Sequence, residues 1–169
     1  PVGRVWTPEE LRRFGHICLR NHVKVISDEI HGDLVYPSVT FCPFPMADDL
    51  FEENSIVCTA PSKTFNLAGL QTSNIFIPHR KTRHKFKETL LANGLFGLNP
   101  FGTTACRVAY EEGAPWLQDL RAYLNDNLQT LITLFESDLP EINAIPTLRT
   151  LAGRDLALSS QLASRLQTG

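Results

Sequence analysis

The hydrophobic positions of the N-terminal segment repeat at intervals of three and four, which is typical of an amphipathic helix. They are Leu11, Phe14, Ile17 and Cys18. The preceding segment Thr7-Pro8-Glu9-Glu10 combines a threonine cap, a proline at the first helical position and a capping-box glutamate. These signals predict a helix over residues 8–21.

Short runs with β-branched residues predict three strands, over residues 24–27, 55–59 and 74–77. Helical patterns cover residues 79–93 and 101–112, and a long leucine stripe from Leu117 to Phe135 predicts a further helix that ends at Pro140. Residues 36–45 are rich in proline and aromatics and are predicted as a loop, and a short strand is possible at 141–145. Helices that alternate with strands predict an α/β sheet, in which ligands gather beyond the carboxyl ends of the strands.

Composition narrows the class of protein without naming a function. The 169 residues are 43% hydrophobic and 20% charged, which fits one soluble globular domain. The net charge of -2 gives no general attraction for nucleic acid or for an anionic membrane. No apolar run approaches the roughly 20 residues of a membrane span. We therefore expect neither nucleic acid nor membrane as a partner.

The cysteines and histidines show no metal-ligating pattern. The four cysteines are scattered without a C-x-x-C pair, which favours buried or idle thiols in a reducing compartment over zinc or disulfides. Four histidines are predicted to lie at the surface: His16, His22, His79 and His84. The basic run over residues 80–87 is interpreted as a solvated helix face rather than as a phosphate or nucleic-acid contact.

Two charged residues stand near the ends of predicted strands. Asp28 closes an apolar run, where a carboxylate is unfavourable unless it is compensated. Thirty-five positions later, Lys63 lies among small and hydroxylated residues. A pyridoxal phosphate (PLP) site requires this pair, because a lysine amine forms a Schiff base with the aldehyde and an aspartate keeps the ring nitrogen protonated. The alternative for Asp28 is a strand-end aspartate that caps a loop or helix.

Neighbouring residues extend this hypothesis. His31 could donate to the phenolic oxygen of the cofactor ring, and Ile30 could pack against the ring face. The hydroxyls of Thr59 and Ser62 could bind the phosphate. The alternatives are an exposed loop histidine and ordinary turn chemistry. Gln71, eight positions after the lysine, could add a neutral contact.

Three segments of the chain together resemble a known family. They are Val2-Gly3-Arg4-Val5-Trp6, Ser27-Asp28-Glu29-Ile30-His31-Gly32-Asp33-Leu34 and Ala60-Pro61-Ser62-Lys63-Thr64-Phe65-Asn66-Leu67-Ala68-Gly69-Leu70. The segments resemble fold-type I PLP enzymes, in the cystathionine β-lyase branch that includes MalY and PatB. The resemblance extends from residue 1 to about residue 142. It implies Lys63 as the Schiff-base lysine, Asp28 as the ring-nitrogen partner and His31 at the position that often bonds the ring oxygen.

The resemblance also implies an architecture. Residues 1–113 would be part of a PLP-binding large domain with a mainly parallel sheet flanked by helices. Residues 114–145 would form a long linking helix and the start of a small domain, and residues 146–169 an atypical tail. A homodimer, a cytoplasmic location, a small amino-acid substrate and no metal are further expectations.

The function implied is a carbon–sulfur β-lyase that cleaves cystathionine or related cysteine S-conjugates to a thiol, pyruvate and ammonia. Gln71 stands where many transaminases of this fold have a phosphate-binding arginine, which weakens the alternative of a PLP-dependent aminotransferase. The loop over residues 37–44 lacks the histidines of the branch. The family's upstream phosphate cradle and downstream carboxylate-binding arginine have no counterpart in the chain. A fragment of a longer enzyme is therefore expected, and an inactive fragment is the third alternative.

Overall fold

The computed structural model describes residues 4–139. These residues form two compact units, each considered by itself. The larger unit comprises Trp6–Leu34 and Phe41–Leu117, and the smaller one comprises residues 4–5, Val35–Thr40 and residues 118–139. The strand predicted at 141–145 and the tail over 146–169 lie outside the described residues.

Within the described residues, helices and strands are mixed along the chain, and the α/β prediction is confirmed. In order, the elements are α1 (Pro8–Arg20), β1 (Val25–Asp28), β2 (Ser55–Thr59), α2 (Pro61–Thr64), β3 (Asn74–Phe76), α3 (Arg80–Ala92), α4 (Pro100–Glu112) and α5 (Ala114–Ser137). Four short 3-10 turns join them, at Gly32–Leu34, Phe44–Met46, Asp49–Asn54 and Ala68–Leu70. Each predicted helix and strand in this range is present, with bounds that shift by a few residues at most.

The three strands form one sheet in the order β1-β2-β3. β1 runs parallel to β2, with Asp28 opposite Cys58, and β3 runs antiparallel to β2, with Asn74 opposite Thr59. The sequence did not specify the direction of β3. Because β1 and β2 are parallel, their carboxyl ends lie at the same edge of the sheet.

The start of α1 follows from its local sequence. The amide of Glu10 donates to the Thr7 hydroxyl at 3.2 Å, and the amide of Thr7 donates to the Glu10 carboxylate at 2.8 Å. This is the predicted capping box, which satisfies two amides that have no partner inside the helix.

The core of the larger unit is aromatic and includes part of the predicted loop. Its buried members are Cys18, Val25, Phe44, Ala47 and Phe51. The Phe44 and Phe51 rings stack with centroids 5.0 Å apart. The prediction of a plain loop over residues 36–45 is therefore wrong at its end, because Phe44 begins a 3-10 turn and is only 3% exposed.

The smaller unit centres on the later turns of α5. Leu128 and Ile132 are buried there and pack against Tyr36. The guanidinium Nε of Arg121 donates to the Val35 carbonyl at 2.8 Å. Among the described residues, no helix is long and apolar enough to cross a membrane.

Three of the histidines predicted at the surface have partners, and one of them is His84, whose Nε2 lies 3.2 Å from the Glu88 carboxylate. His16 lies 3.2 Å from the Asp48 carboxylate and packs edge-on against Phe51. His79 caps α3 by accepting the Thr82 amide at 3.3 Å. None of these three rings is buried, so the prediction of surface positions is not contradicted, although each ring is held by a neighbouring residue. The four cysteines are free thiols.

Candidate active site

Asp28 and Lys63 follow neighbouring parallel strands and lie at the same edge of the sheet. Asp28 is the last residue of β1 and stands opposite Cys58 in β2. Lys63 belongs to α2, the single helical turn that follows β2 after Ala60. Neighbouring strands are about 4.8 Å apart, so the two segments leave the sheet side by side.

Neither charged group is committed to another side chain. Both residues are exposed. The Lys63 amine makes no hydrogen bond or ion pair with the part of the chain that the structure describes. Asp28 accepts one bond, from the Ile30 amide to Oδ1 at 3.3 Å, which is the contact expected of a loop-capping aspartate. The other carboxylate oxygen has no such bond within residues 4–139, so it is available to an external donor.

The remaining residues that the sequence predicted for the site differ in whether they line a cavity. Ile30 and Thr59 are half-buried and line the same cavity, of about 600 Å³. His31 is exposed in the turn after β1, and Ser62 is half-buried in α2. The residues that line the cavity do not include the other four predicted residues, which are Asp28, His31, Ser62 and Lys63. The structure therefore brings Ile30 and Thr59 together and places the charged pair at the strand ends outside this cavity.

Glu29 is a residue that the sequence analysis missed. Its Oε1 accepts the Ser27 hydroxyl and the Phe44 amide, each at 2.8 Å. The Glu29 amide also donates to the Cys58 carbonyl at 2.8 Å, which continues the pairing of β1 with β2. Glu29 thus fixes the segment that carries Asp28 to both the sheet and the aromatic core.

The sequence analysis also missed Asp33 and Thr64, which form a hydrogen-bonded pair. Thr64 follows Lys63 directly and is 0% exposed. Its hydroxyl donates to Asp33 Oδ2 at 2.9 Å across 31 positions of sequence. In the sequence, Thr64 is merely a hydroxyl residue next to the lysine, and Asp33 is an acid that follows the first strand. Neither belongs to a repeating pattern that would predict the bond.

The residue after Thr64 is also fixed by packing. The Phe65 ring meets Tyr110 edge-on with centroids 5.5 Å apart, and it lies 5.7 Å from the Trp116 ring. Gly113 makes this approach possible, because a Cβ there would stand 2.5 Å from the Phe65 ring. The turn that presents Lys63 is therefore held by the two residues that follow the lysine.

The charges around this edge are mainly negative. Burial raises the pKa of the Cys58 thiol, and the carboxylates of Asp28 and Glu29 raise it further. Burial likewise raises the pKa of Tyr110, with a contribution from the Asp33 carboxylate. A negative environment stabilises a protonated donor next to Asp28.

The donor set fits PLP in two respects. A carboxylate with a free oxygen suits the N–H of a pyridinium ring, and an amine without partners suits an aldehyde. No group of three or more metal-ligating side chains occurs within the described residues. The residue types of this edge are therefore compatible with an aldehyde that bonds to an amine and with a protonated ring nitrogen.

Comparison with solved structures identifies the class of fold. Cystalysin from Treponema denticola, whose crystal structure contains a pyridoxal 5'-phosphate cofactor, superposes with a TM-score of 0.79 and 35% sequence identity. The match covers 83% of this chain and 36% of cystalysin. The fold is thus that of PLP-dependent enzymes, as the sequence predicted.

Comparison of sequences gives the family. The profile of aminotransferase class I and II matches residues 1–162, and the chain belongs to that family. Cystathionine beta-lyase PatB of Bacillus subtilis is 45% identical over 142 residues, which are 84% of this chain and 37% of PatB. Protein MalY of Escherichia coli is 35% identical over 158 residues, 92% of this chain and 40% of MalY. The predicted resemblance is confirmed, and the chain spans 37% to 40% of the length of these two relatives.

Proposed function

We propose that this chain is part of a PLP-dependent carbon–sulfur β-lyase that cleaves cystathionine or related cysteine S-conjugates to a thiol, pyruvate and ammonia. The 45% identity to cystathionine beta-lyase PatB carries the proposal. The uncommitted Asp28 and Lys63 at neighbouring strand ends support it chemically. When bound, the cofactor supplies an electron sink for the negative charge that develops at the substrate Cα.

Lys63 has two roles in this proposal. Its amine would hold the cofactor through the aldehyde group. When it is not engaged there, the same amine would take the substrate Cα proton as general base. The Lys63 side chain is exposed and has no hydrogen bond to residues 4–139, so it can move between these two positions without breaking a contact in that range.

The residues after β1 would orient the cofactor ring. Asp28 would accept the N–H of the ring nitrogen and keep the proton there. Ile30 would pack against the ring, and His31 would donate a hydrogen bond to the phenolic oxygen. Support comes from their order, because Asp28 is the last residue of β1 and the other two follow it within three positions.

Thr59 and Ser62 would donate hydroxyl hydrogens to the cofactor phosphate. Neither hydroxyl has a hydrogen-bond partner in the described part of the chain. Thr59 ends β2 and Ser62 lies in the turn that follows it. Both hydroxyls are therefore available near the lysine.

The wider assignment follows the family. We infer that residues 1–113 belong to the PLP-binding large domain and residues 114–145 to the linking helix and the start of the small domain. A homodimer and a cytoplasmic location stay predictions of the resemblance, as does the role of the tail over 146–169.

The covalent attachment can be tested directly. The chain is mixed with PLP, reduced with borohydride and digested, and the modified lysine is located by peptide mass spectrometry. We expect modification at Lys63 and none in Lys63→Ala. Lys85→Ala, which removes an exposed lysine of α3, is the matched control and should label like the unsubstituted chain. Persistent labelling of Lys63→Ala at another lysine would contradict the assignment.

The reaction type needs a separate assay. Pyruvate release from cystathionine without any keto-acid acceptor indicates the lyase. Turnover that requires a keto acid indicates the aminotransferase alternative. Labelling at Lys63 without either activity indicates that the chain by itself is an inactive fragment.

A further inference from the structure

The hydrogen bond between Thr64 and Asp33 links the two segments that carry Lys63 and Asp28. Thr64 is the residue after the lysine, and its buried hydroxyl donates to Asp33 Oδ2 at 2.9 Å. A bond to an ionised carboxylate is stronger than one between neutral groups. Neither side chain has another hydrogen bond or an ion pair within residues 4–139.

The turn that carries Lys63 has little stability of its own. α2 is four residues long, and Ala60 at its start provides no side-chain cap. An isolated helix of this length is unstable in water, so its orientation depends on contacts with the rest of the fold. Pro61 and Thr64 are its buried members, and of these only Thr64 has a polar side chain.

Asp33, in contrast, belongs to a well-fixed segment. It lies in the 3-10 turn Gly32–Leu34, where the Gly32 amide donates to the Glu29 carbonyl at 2.9 Å. A Cβ at Gly32 would stand 2.8 Å from the Phe41 ring, so the turn is packed tightly against that ring. Asp33 therefore presents its carboxylate from a fixed place that follows Asp28 by five residues.

We propose that Asp33 is a positioning residue, which orients the Lys63 amine relative to Asp28 through its hydrogen bond to the Thr64 hydroxyl. The proposal rests on the role proposed above for Lys63 and gives Asp33 a role that acts through Thr64. Loss of the bond should let the α2 turn rotate while the sheet stays intact, because the strand pairing does not involve either side chain.

Two variants of Thr64 separate the effect of its hydroxyl from the effect of its side-chain size. Thr64→Val keeps the shape and removes the hydroxyl, whereas Thr64→Ser keeps the hydroxyl. Asp33→Asn keeps an acceptor oxygen and removes the charge, and it gives a second route if the valine variant does not fold. Asp119→Asn, an exposed acid of α5, is the control.

The first measurement is amide hydrogen exchange without cofactor. The Phe65 and Leu67 amides donate to the Pro61 and Ser62 carbonyls and report on the turn. In Thr64→Val we expect exchange at these two amides to become about tenfold faster. The Glu29 amide, which donates to the Cys58 carbonyl, should exchange at the unsubstituted rate. Equal acceleration at all three amides would mean a general loss of stability and would overturn the proposal.

The second measurement is borohydride labelling of Lys63 by PLP. We expect labelling to fall about tenfold in Thr64→Val, to fall by a smaller factor in Asp33→Asn and to recover in Thr64→Ser. If the unsubstituted chain labels at Lys63 and Thr64→Val labels equally well, the positioning role is rejected while the proposed function stands. If the unsubstituted chain does not label at Lys63, the proposed function is rejected and the positioning role with it.

Discussion

Adjacent residues at the candidate site have opposite structural roles. Asp28 and Lys63 are exposed and make no bonds to other side chains within residues 4–139. Their immediate neighbours Glu29 and Thr64 are bonded into the fold, to Phe44 and Asp33 respectively. The difference shows that the groups suited to chemistry are separated by one position from the groups that fix them.

The geometry of a strand explains half of this pattern. Successive side chains of a strand point to opposite faces, so Asp28 and Glu29 leave the end of β1 in opposite directions. One of them bonds the aromatic core through the Phe44 amide, and the other is left at the exposed edge. In α2 the two neighbours differ in burial, because the Thr64 side chain is buried and the Lys63 side chain is exposed.

The sharpest test compares Glu29→Ala with Asp28→Ala. Removal of the Glu29 carboxylate leaves the Phe44 amide without its acceptor beside the core, and we expect a loss of about 2 kcal/mol in the free energy of unfolding. Removal of the exposed Asp28 carboxylate should change that free energy by less than about 0.5 kcal/mol. Urea denaturation followed by circular dichroism measures both.

Glu29→Gln is the control for this comparison, because it keeps a carbonyl oxygen that can accept the Phe44 amide. The free energy of unfolding should fall clearly less in Glu29→Gln than in Glu29→Ala. Equal losses in Asp28→Ala and Glu29→Ala would show that the two neighbours do not differ in structural role.

A second prediction concerns the packing behind Lys63. In Gly113→Ala the new methyl group would collide with the Phe65 ring and with the Ala109 carbonyl. We therefore expect the free energy of unfolding to fall by about 1–2 kcal/mol. Gly97→Ala is the matched control, since nothing lies within 4 Å of a Cβ at that position. Thermal unfolding of the two variants gives the comparison, and equal midpoints would contradict the tight approach at Gly113.

The smallest predicted effect is electrostatic. Burial is the main cause of the raised pKa of the Cys58 thiol, and the Asp28 carboxylate adds to it. Asp28→Asn removes one negative charge, so the pKa should fall and the thiolate should form at lower pH. The pH dependence of iodoacetamide alkylation at Cys58, read by mass spectrometry, measures the shift. An unchanged or higher pKa would show that the carboxylate does not act on the thiol.

Much of the fold could be predicted because its signals are local. The capping box at Thr7 and Glu10 and the apolar spacing of α1 involve residues within one or two helical turns. β-branched runs likewise specified β1 and β2. The burial of Phe44 was not predicted, because it depends on the Phe51 ring and on the Glu29 carboxylate, 15 positions away.

Sequence patterns single out only some residues of the candidate site, for a similar reason. Asp28 and Lys63 stand out as charges next to apolar strands, so sequence patterns select them. The Asp33–Thr64 bond spans 31 positions and joins two polar residues in short turns, where no period exists to reveal it. Such bonds become visible only when the parallel pairing of β1 with β2 brings the two turns together.

The contact between the Ile30 amide and Asp28 also distinguishes the two oxygens of this carboxylate. An arginine-like fork binds a carboxylate best through both oxygens at once. In Asp28, Oδ1 accepts one bond from its own backbone at 3.3 Å, and Oδ2 accepts none within residues 4–139. A partner with a single N–H, such as the aromatic heterocycle proposed above, would therefore meet an acceptor at Oδ2 without displacing the Ile30 amide.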